Sequence, residues 1–256
     1  MWNPLMAVVS FIFGLVFGSF FNVVIYRLPR KEYTINRPAR SFCPSCGHEL
    51  VWKDNIPLLS YIVLRGRCRY CGTRIPIRYP VVEAITAVSF TINALIFPVP
   101  QALALDLVAA GLIISSFIDL EHYLIPDTGI ILIGIGAVLF SYYQGRFPEI
   151  LIHAALVTGA MVAFFLIANA VKKDSFGFGD VELIGALSLA SGLLGSLYTV
   201  LFSSIAALLT YLVIIGVKGE KFEGTKQIPF GPFIAIGGYT AILLLDELRL
   251  LYGLVG

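Results

Sequence analysis

Charge is what this chain has least of. Only 13% of its 256 residues are Asp, Glu, Lys or Arg, against 58% hydrophobic, and a soluble domain carries about twice that charged share. The shortage excludes an ordinary water-soluble globular domain. Basic residues are also absent where a secretory signal would place them. The opening MWNPLMAVVSFIFGLVFGSFFNVVIYR has no Lys or Arg before its apolar run, so it lacks a basic n-region and is expected to be a retained first span. No internal repeat is visible, which weighs against a transporter, the main alternative that would also use intramembrane acids and broken helices. The net charge of +2 is too small to point to a partner by itself, and no nucleic-acid partner is expected.

What fills the chain instead is apolar runs near or beyond the length of about 18 residues that marks a membrane span. Eight are visible, at roughly 5–26, 81–97, 102–119, 128–143, 150–171, 181–197, 199–217 and 231–252. The sixth and seventh run together through Ser191–Thr199, where Gly192 and Gly195 suit a tight turn. The expected fold is therefore an all-α polytopic membrane protein of about eight transmembrane helices. Its expected divisions are a first helix (1–26), a small polar domain (27–80) and a seven-helix transmembrane core (81–256).

The distribution of charge gives an orientation. Of the 18 basic residues, eleven fall in 27–80: Arg27, Arg30, Lys31, Arg37, Arg40, Lys53, Arg65, Arg67, Arg69, Arg74 and Arg78. The positive-inside rule puts that block in the cytoplasm. Eight alternating spans then place Lys172, Lys173, Lys218, Lys221 and Lys226 inside and only Arg146 and Arg249 outside. Both termini are expected to be extracytoplasmic. Asp119, Asp127 and Asp180 all come out at the cytoplasmic face, a coincidence that hydropathy does not require.

The polar block holds all four cysteines, Cys43 and Cys46 in CPSCG and Cys68 and Cys71 in CRYCG. Two CxxC pairs at this spacing fit a structural zinc site with four thiolates. Each pair ends in Gly, which suits a tight knuckle, and a block with so little core gains from a metal staple. Two disulfides are the alternative, disfavoured where thiols stay reduced. A redox CxxC, iron–sulfur ligation, and His48 replacing one cysteine are further alternatives.

Asp119, in SSFIDLEHYLIPD, ends the third span, and Asp180, in FGFGD, begins the sixth. A charge near bilayer depth costs roughly 2.5–3.5 kcal/mol at the centre and less at the interface, so an acid there needs a reason. Two carboxylates from different spans at one face form an aspartyl-protease dyad: one takes a proton from a bound water, the other, protonated, bonds the peptide carbonyl. Like charges that close share a proton and titrate as a unit. Gly177 and Gly179 let the backbone bend ahead of Asp180. The plainer reading is that Asp180 only caps the following helix. Asp127 is a rival for Asp119, although an Asp between Pro126 and Thr128 reads first as an N-cap. Glu121 and His122 read as solvated loop residues. Asn93, Asn169 and His153, single polar groups in spans, read as interhelical contacts.

Seven stretches carry a family resemblance: GSFFNVVIYRLP (18–29), CPSCG (43–47), CRYCG (68–72), RYPVVE (78–83), FIDLEHYLIPD (117–127), FGFGD (176–180) and IPFGPFIA (228–235). In this order they make the chain resemble the type IV prepilin peptidases, which are similar to presenilin in using a GxGD aspartate. The resemblance implies that Asp119 and Asp180 are catalytic and that the four cysteines bind zinc. It implies prepilin or pseudopilin substrates cleaved after a Gly at the cytoplasmic face of the bacterial inner membrane. It also implies N-methylation of the new terminus with S-adenosylmethionine. Asn22 and Glu83 are candidates to hold that cofactor; the other reading is that they pair with each other or with Arg78 and fix the polar block to the bundle. One departure is Glu182, where the family usually has Lys; two residues along a helix is about 200°, so Glu182 is expected to point away from Asp180. The resemblance leaves the oligomeric state open.

Overall fold

The computed structural model describes residues 4–30, 32–173, 176–218 and 228–244. Lys31, Lys221, Lys226, Arg249, both termini and the last part of the eighth apolar run, 245–252, lie outside the described residues. Among the described residues every regular element is helical, and extended pairing is limited to three isolated bridges. The chain forms two compact units, Met1–Asp106 and Leu107–Gly256.

The first unit contains α1 (Pro4–Arg27), a short α2 (Leu59–Val63), α3 (Arg78–Ile96) and the start of α4 (Val99–His122). Gly14, Gly18 and Asn22, spaced by four, share one face of α1. Small residues there let two backbones meet, as is common between apolar helices. A Cβ at Gly14 would lie 2.5 Å from Ala87 Cα, and one at Gly18 2.7 Å from Glu83 Cα, both on α3. Phe17 and Phe90 fill the seam beyond them, ring centroids 6.2 Å apart.

The polar block between α1 and α3 has few buried apolar side chains and is ordered chiefly by hydrogen bonds. Arg27, buried at the end of α1, donates to the carbonyls of Ile35 (2.8 Å), Pro38 (2.7 Å) and Arg40 (3.1 Å). One side chain thus ties the first loop of the block to the helix. Buried Asp54 accepts from Arg69 Nε (2.7 Å) and the Tyr70 hydroxyl (3.0 Å), so each charge has a partner as burial requires.

The second unit contains the rest of α4, α5 (Asp127–Tyr143), α6 (Phe147–Val171), α7 (Phe178–Lys218) and α8 (Gly231–Leu243). Five helices, α1, α3, α4, α6 and α7, are long and apolar enough to cross a membrane, while α5 and α8 are shorter apolar helices. α7 covers the sixth and seventh apolar runs and is broken at Gly192 (φ 66°, ψ −166°), a conformation open essentially to glycine alone. The expected turn at Gly192 and Gly195 is therefore corrected: Gly192 makes the break, and Gly195 is helical. Ser188, Ser191, Ser196, Thr199 and Ser203 are buried along α7, and each hydroxyl donates to a carbonyl three or four residues earlier. That back-bonding satisfies a polar row where water is scarce.

Candidate active site and metal centre

Two nearly identical knuckles bring the cysteines together. Phe42 pairs with Glu49 across the first and Arg67 with Arg74 across the second. In each, the N–H of the leading cysteine donates to the carbonyl five residues on, Cys43 to His48 (2.9 Å) and Cys68 to Thr73 (2.8 Å). The glycine N–H then returns to the leading cysteine, Gly47 to Cys43 (2.8 Å) and Gly72 to Cys68 (3.0 Å). Gly47 and Gly72 have φ of 70° and 72°, which explains the glycine after each CxxC.

All four Sγ atoms lie within 4.8 Å of one another, and Cys43 and Cys71 are 3.9 Å apart. A zinc–sulfur bond of about 2.3 Å sets a tetrahedral S–S edge of about 3.8 Å, so the donor set fits that ion. A disulfide would need about 2.05 Å. The Thr73 hydroxyl and then its backbone N–H bring the Cys71 thiol down to about 6, while Cys46, despite the His48 backbone, is pushed up to about 11 by desolvation and the neighbouring thiols. Without an ion the four sulfurs do not ionise alike, and Cys71 gives its thiolate first. His48 is not part of this cluster; its ring stacks on Tyr70 with centroids 3.6 Å apart.

The acid pair is built in the second unit. Asp119 lies in the last turn of α4 and is 6% exposed. Its Oδ2 accepts the N–H of Gly231, the first residue of α8, at 2.8 Å. Asp180 is the third residue of α7, and its carboxylate accepts the N–H of Gly177, just before that helix. Each carboxylate therefore takes an N–H that has no partner inside its own helix, at the end where the helix dipole favours negative charge. The two carboxylates also interact electrostatically. The simple N-cap reading of Asp180 is corrected: α7 begins at Phe178, and the carboxylate reaches back one turn, as the acidic member of a capping box does.

The glycines of FGFGD sit where space is short. A Cβ on Gly179 would lie 3.1 Å from Ile125 Cβ, in the segment that follows Asp119, and one on Gly177 3.2 Å from Asp180 Oδ2. The Phe176 ring lies 5.3 Å from that of Phe164 and 6.4 Å from that of Phe230, centroid to centroid. Asn169 grips the backbone of Phe176 from both sides: its Nδ2 donates to the carbonyl (3.1 Å), and its Oδ1 accepts the N–H (3.4 Å). Asn169, expected as an interhelical contact, thus holds the turn leading into α7.

Asp127 is exposed and is the first residue of α5; Pro126 takes the N-cap position, with no side-chain cap bond. Its expected N-cap role is corrected, and its charge still lies in the first turn where the dipole favours it. Glu121 and His122 are also exposed, their side chains 3.9 Å apart. Glu182 is exposed between buried Val181 and Leu183, as its helical angle from Asp180 implies. His153 lies 3.8 Å from Glu149 on its own helix. Asn93 does join two helices, donating at 2.8 Å to Asp106 in α4, a further acid inside the third apolar run.

Asn22 and Glu83 lie in the first unit. Asn22 Nδ2 donates to the carbonyls of Tyr79 (3.0 Å) and Gly18 (3.3 Å), and its Oδ1 is buried without a hydrogen-bond partner. Glu83 Oε2 accepts the N–H of Leu58 at 2.7 Å.

Comparison with known proteins agrees with this division into two units. The bacterial Peptidase A24 N-terminal domain matches residues 12–97 and the type IV leader peptidase family matches residues 107–212. The Escherichia coli type 4 prepilin-like proteins leader peptide-processing enzyme is 35% identical over 266 residues, 93% of this chain and 94% of the relative. The chain belongs to the type IV leader peptidase family. Among other family members, the prepilin leader peptidase/N-methyltransferase of Myxococcus xanthus is 36% identical, covering 90% of this chain and 70% of the relative. That of Pseudomonas aeruginosa is 32% identical, covering 95% and 92%. Among solved structures there is no significant match to this member of the family.

Proposed function

We propose that this chain is an aspartic endopeptidase that removes the leader of type IV prepilins and pseudopilins after a Gly, and that it N-methylates the residue so exposed. The observation that carries the reading is the acid pair: two carboxylates from separate helices, electrostatically coupled, each fixed by a backbone N–H at a helix start. Asp119 and Asp180 share one proton. The ionised member takes a proton from water as its oxygen attacks the scissile carbonyl; the protonated member hydrogen-bonds the carbonyl oxygen. Proton return to the leaving amine completes hydrolysis. Gly177 and Gly179 support the turn that sets Asp180.

The enzyme is a multi-pass protein of the bacterial inner membrane. Eight spans follow if the halves of α7 on either side of Gly192 cross separately and α5 and α8 also cross. Residues 1–26 form the first span, 27–80 a cytoplasmic zinc domain and 81–256 the remaining bundle, with the acid pair facing the cytoplasm. Cys43, Cys46, Cys68 and Cys71 hold a structural zinc ion. S-adenosylmethionine supplies the methyl group, with Asn22 and Glu83 its proposed contacts; the open Oδ1 of Asn22 suits an N–H donor. Purified enzyme incubated with a prepilin, followed by mass analysis of the pilin N-terminus, reports cleavage and methylation together. Normal cleavage by both Asp119→Asn and Asp180→Asn would sink the mechanism.

A further inference from the structure

α2 presents an apolar face to the outside. Leu59, Ile62 and Val63, at positions that share one side of a helix, are 54%, 70% and 64% exposed, and Trp52, in the short turn packed beside α2, is 78% exposed. Leu58, Ser60, Tyr61 and Leu64 on the other side are half-buried. Lys53 and Arg65 flank the exposed face. Over 27–80 the sequence sets eleven basic residues against three acidic ones, Glu32, Glu49 and Asp54.

The depth of α2 says what covers that face. α3 has 19 residues, about 28 Å at 1.5 Å per residue, close to the hydrocarbon thickness of about 30 Å. Glu83 lies five residues into α3, roughly 7–8 Å along its axis, and its carboxylate holds the Leu58 N–H at 2.7 Å. Ser19, eight residues before the end of α1, also hydrogen-bonds Glu83. The start of α2 is thus tied to α3, and through Glu83 to α1, roughly one to two turns inside their ends, at the outer edge of the acyl region. Apolar side chains and a Trp at that level, with cations beside them, match the chemistry of an anionic membrane interface.

We propose that the exposed face of α2, with Trp52, inserts at the boundary between headgroups and acyl chains of the membrane that α1 and α3 cross, while Lys53 and Arg65 meet lipid phosphates. This docking holds the zinc knuckles against the bilayer surface. It requires only that α1 and α3 span the membrane, so it stands or falls separately from the protease reading. Trp52 is one of two tryptophans, and Trp2→Phe leaves it the single reporter. The full-length variant is reconstituted in phosphatidylcholine–phosphatidylglycerol vesicles with acyl chains brominated near the headgroup or near the terminal methyl. The expected result is strong loss of Trp52 emission with the shallow bromines and a smaller loss with the deep ones. Adding Ile62→Asp and Val63→Asp should abolish the shallow quenching while zinc content stays normal. Emission untouched by either bromolipid but quenched by aqueous acrylamide overturns the proposal. So does bromolipid quenching that disappears when a prepilin is added, which would assign the face to the substrate.

Discussion

Gly231→Ala separates the geometry of the acid pair from the stability of the fold. A Cβ at this position would lie 2.9 Å from Asp119 Oδ2 and 3.3 Å from its Cβ and Cγ, closer than a methyl group and a carboxylate can rest. The side chain tip of Asp119 is the softest thing nearby, so the clash is relieved by turning that carboxylate away. Gly231 is the first residue of α8 and does not have the left-handed φ that favours glycine, so Ala fits its backbone without strain; α8 should form as well as before. What is lost is the Gly231 N–H bond to Asp119 at 2.8 Å. A hydrogen bond to a charged group contributes about 1.5–3 kcal/mol, which corresponds to roughly 10- to 150-fold in rate. The assay is cleavage of a prepilin by purified protein, run beside thermal unfolding in detergent, zinc content and methylation of an already mature pilin. The expected outcome is a fall in kcat of that size with the other three unchanged. Full cleavage activity in Gly231→Ala would refute the claim that this N–H sets Asp119; loss of all four properties would show that the residue matters to folding instead.

Asp119→Asn and Asp180→Asn should each abolish cleavage without unfolding the protein, and the double variant should be no worse than either single one, because residues acting as a unit are not additive. Asp127→Asn should cleave nearly as well as the parent, since Asp127 is exposed at the start of α5; a dead Asp127→Asn with an active Asp119→Asn would transfer the role. Cys46→Ser should lose about one zinc per chain, measured by metal analysis, and loosen residues 40–75 in proteolysis before cleavage chemistry is touched; a parent protein without zinc, or with a Cys43–Cys71 disulfide on isolation, would remove the metal site. Asn169→Ala removes both bonds to Phe176 and should lower kcat roughly 5- to 20-fold with little change in KM, two modest hydrogen bonds' worth; an unchanged kcat would limit Asn169 to packing.

What the sequence made legible follows the range over which each signal acts. Apolar runs and CxxC–Gly knuckles are local, and the helices and the four-sulfur cluster appear where those patterns lie. The acid pair could be seen because its members are costly near a membrane, so Asp119 and Asp180 each demanded an explanation before any geometry was available. The residues that orient them carry no such signal. Gly231 is 112 positions from Asp119 and contributes only its N–H, which every residue except proline possesses; its identity matters because the space beside it is full, and fullness is a property of packing. The hold of Asn169 on Phe176 is hidden for a related reason: only the path of the chain brings that turn within reach of its side chain. Asp180 shows the limit most sharply. Moving the helix start from 181 to Phe178 changes that carboxylate from a cap outside the helix to one reaching back from within it. The same three residues of difference put Gly179 and Asp180 in the first turn of the helix, with Gly177 just before it. Gly177 also supplies the N–H that the carboxylate accepts.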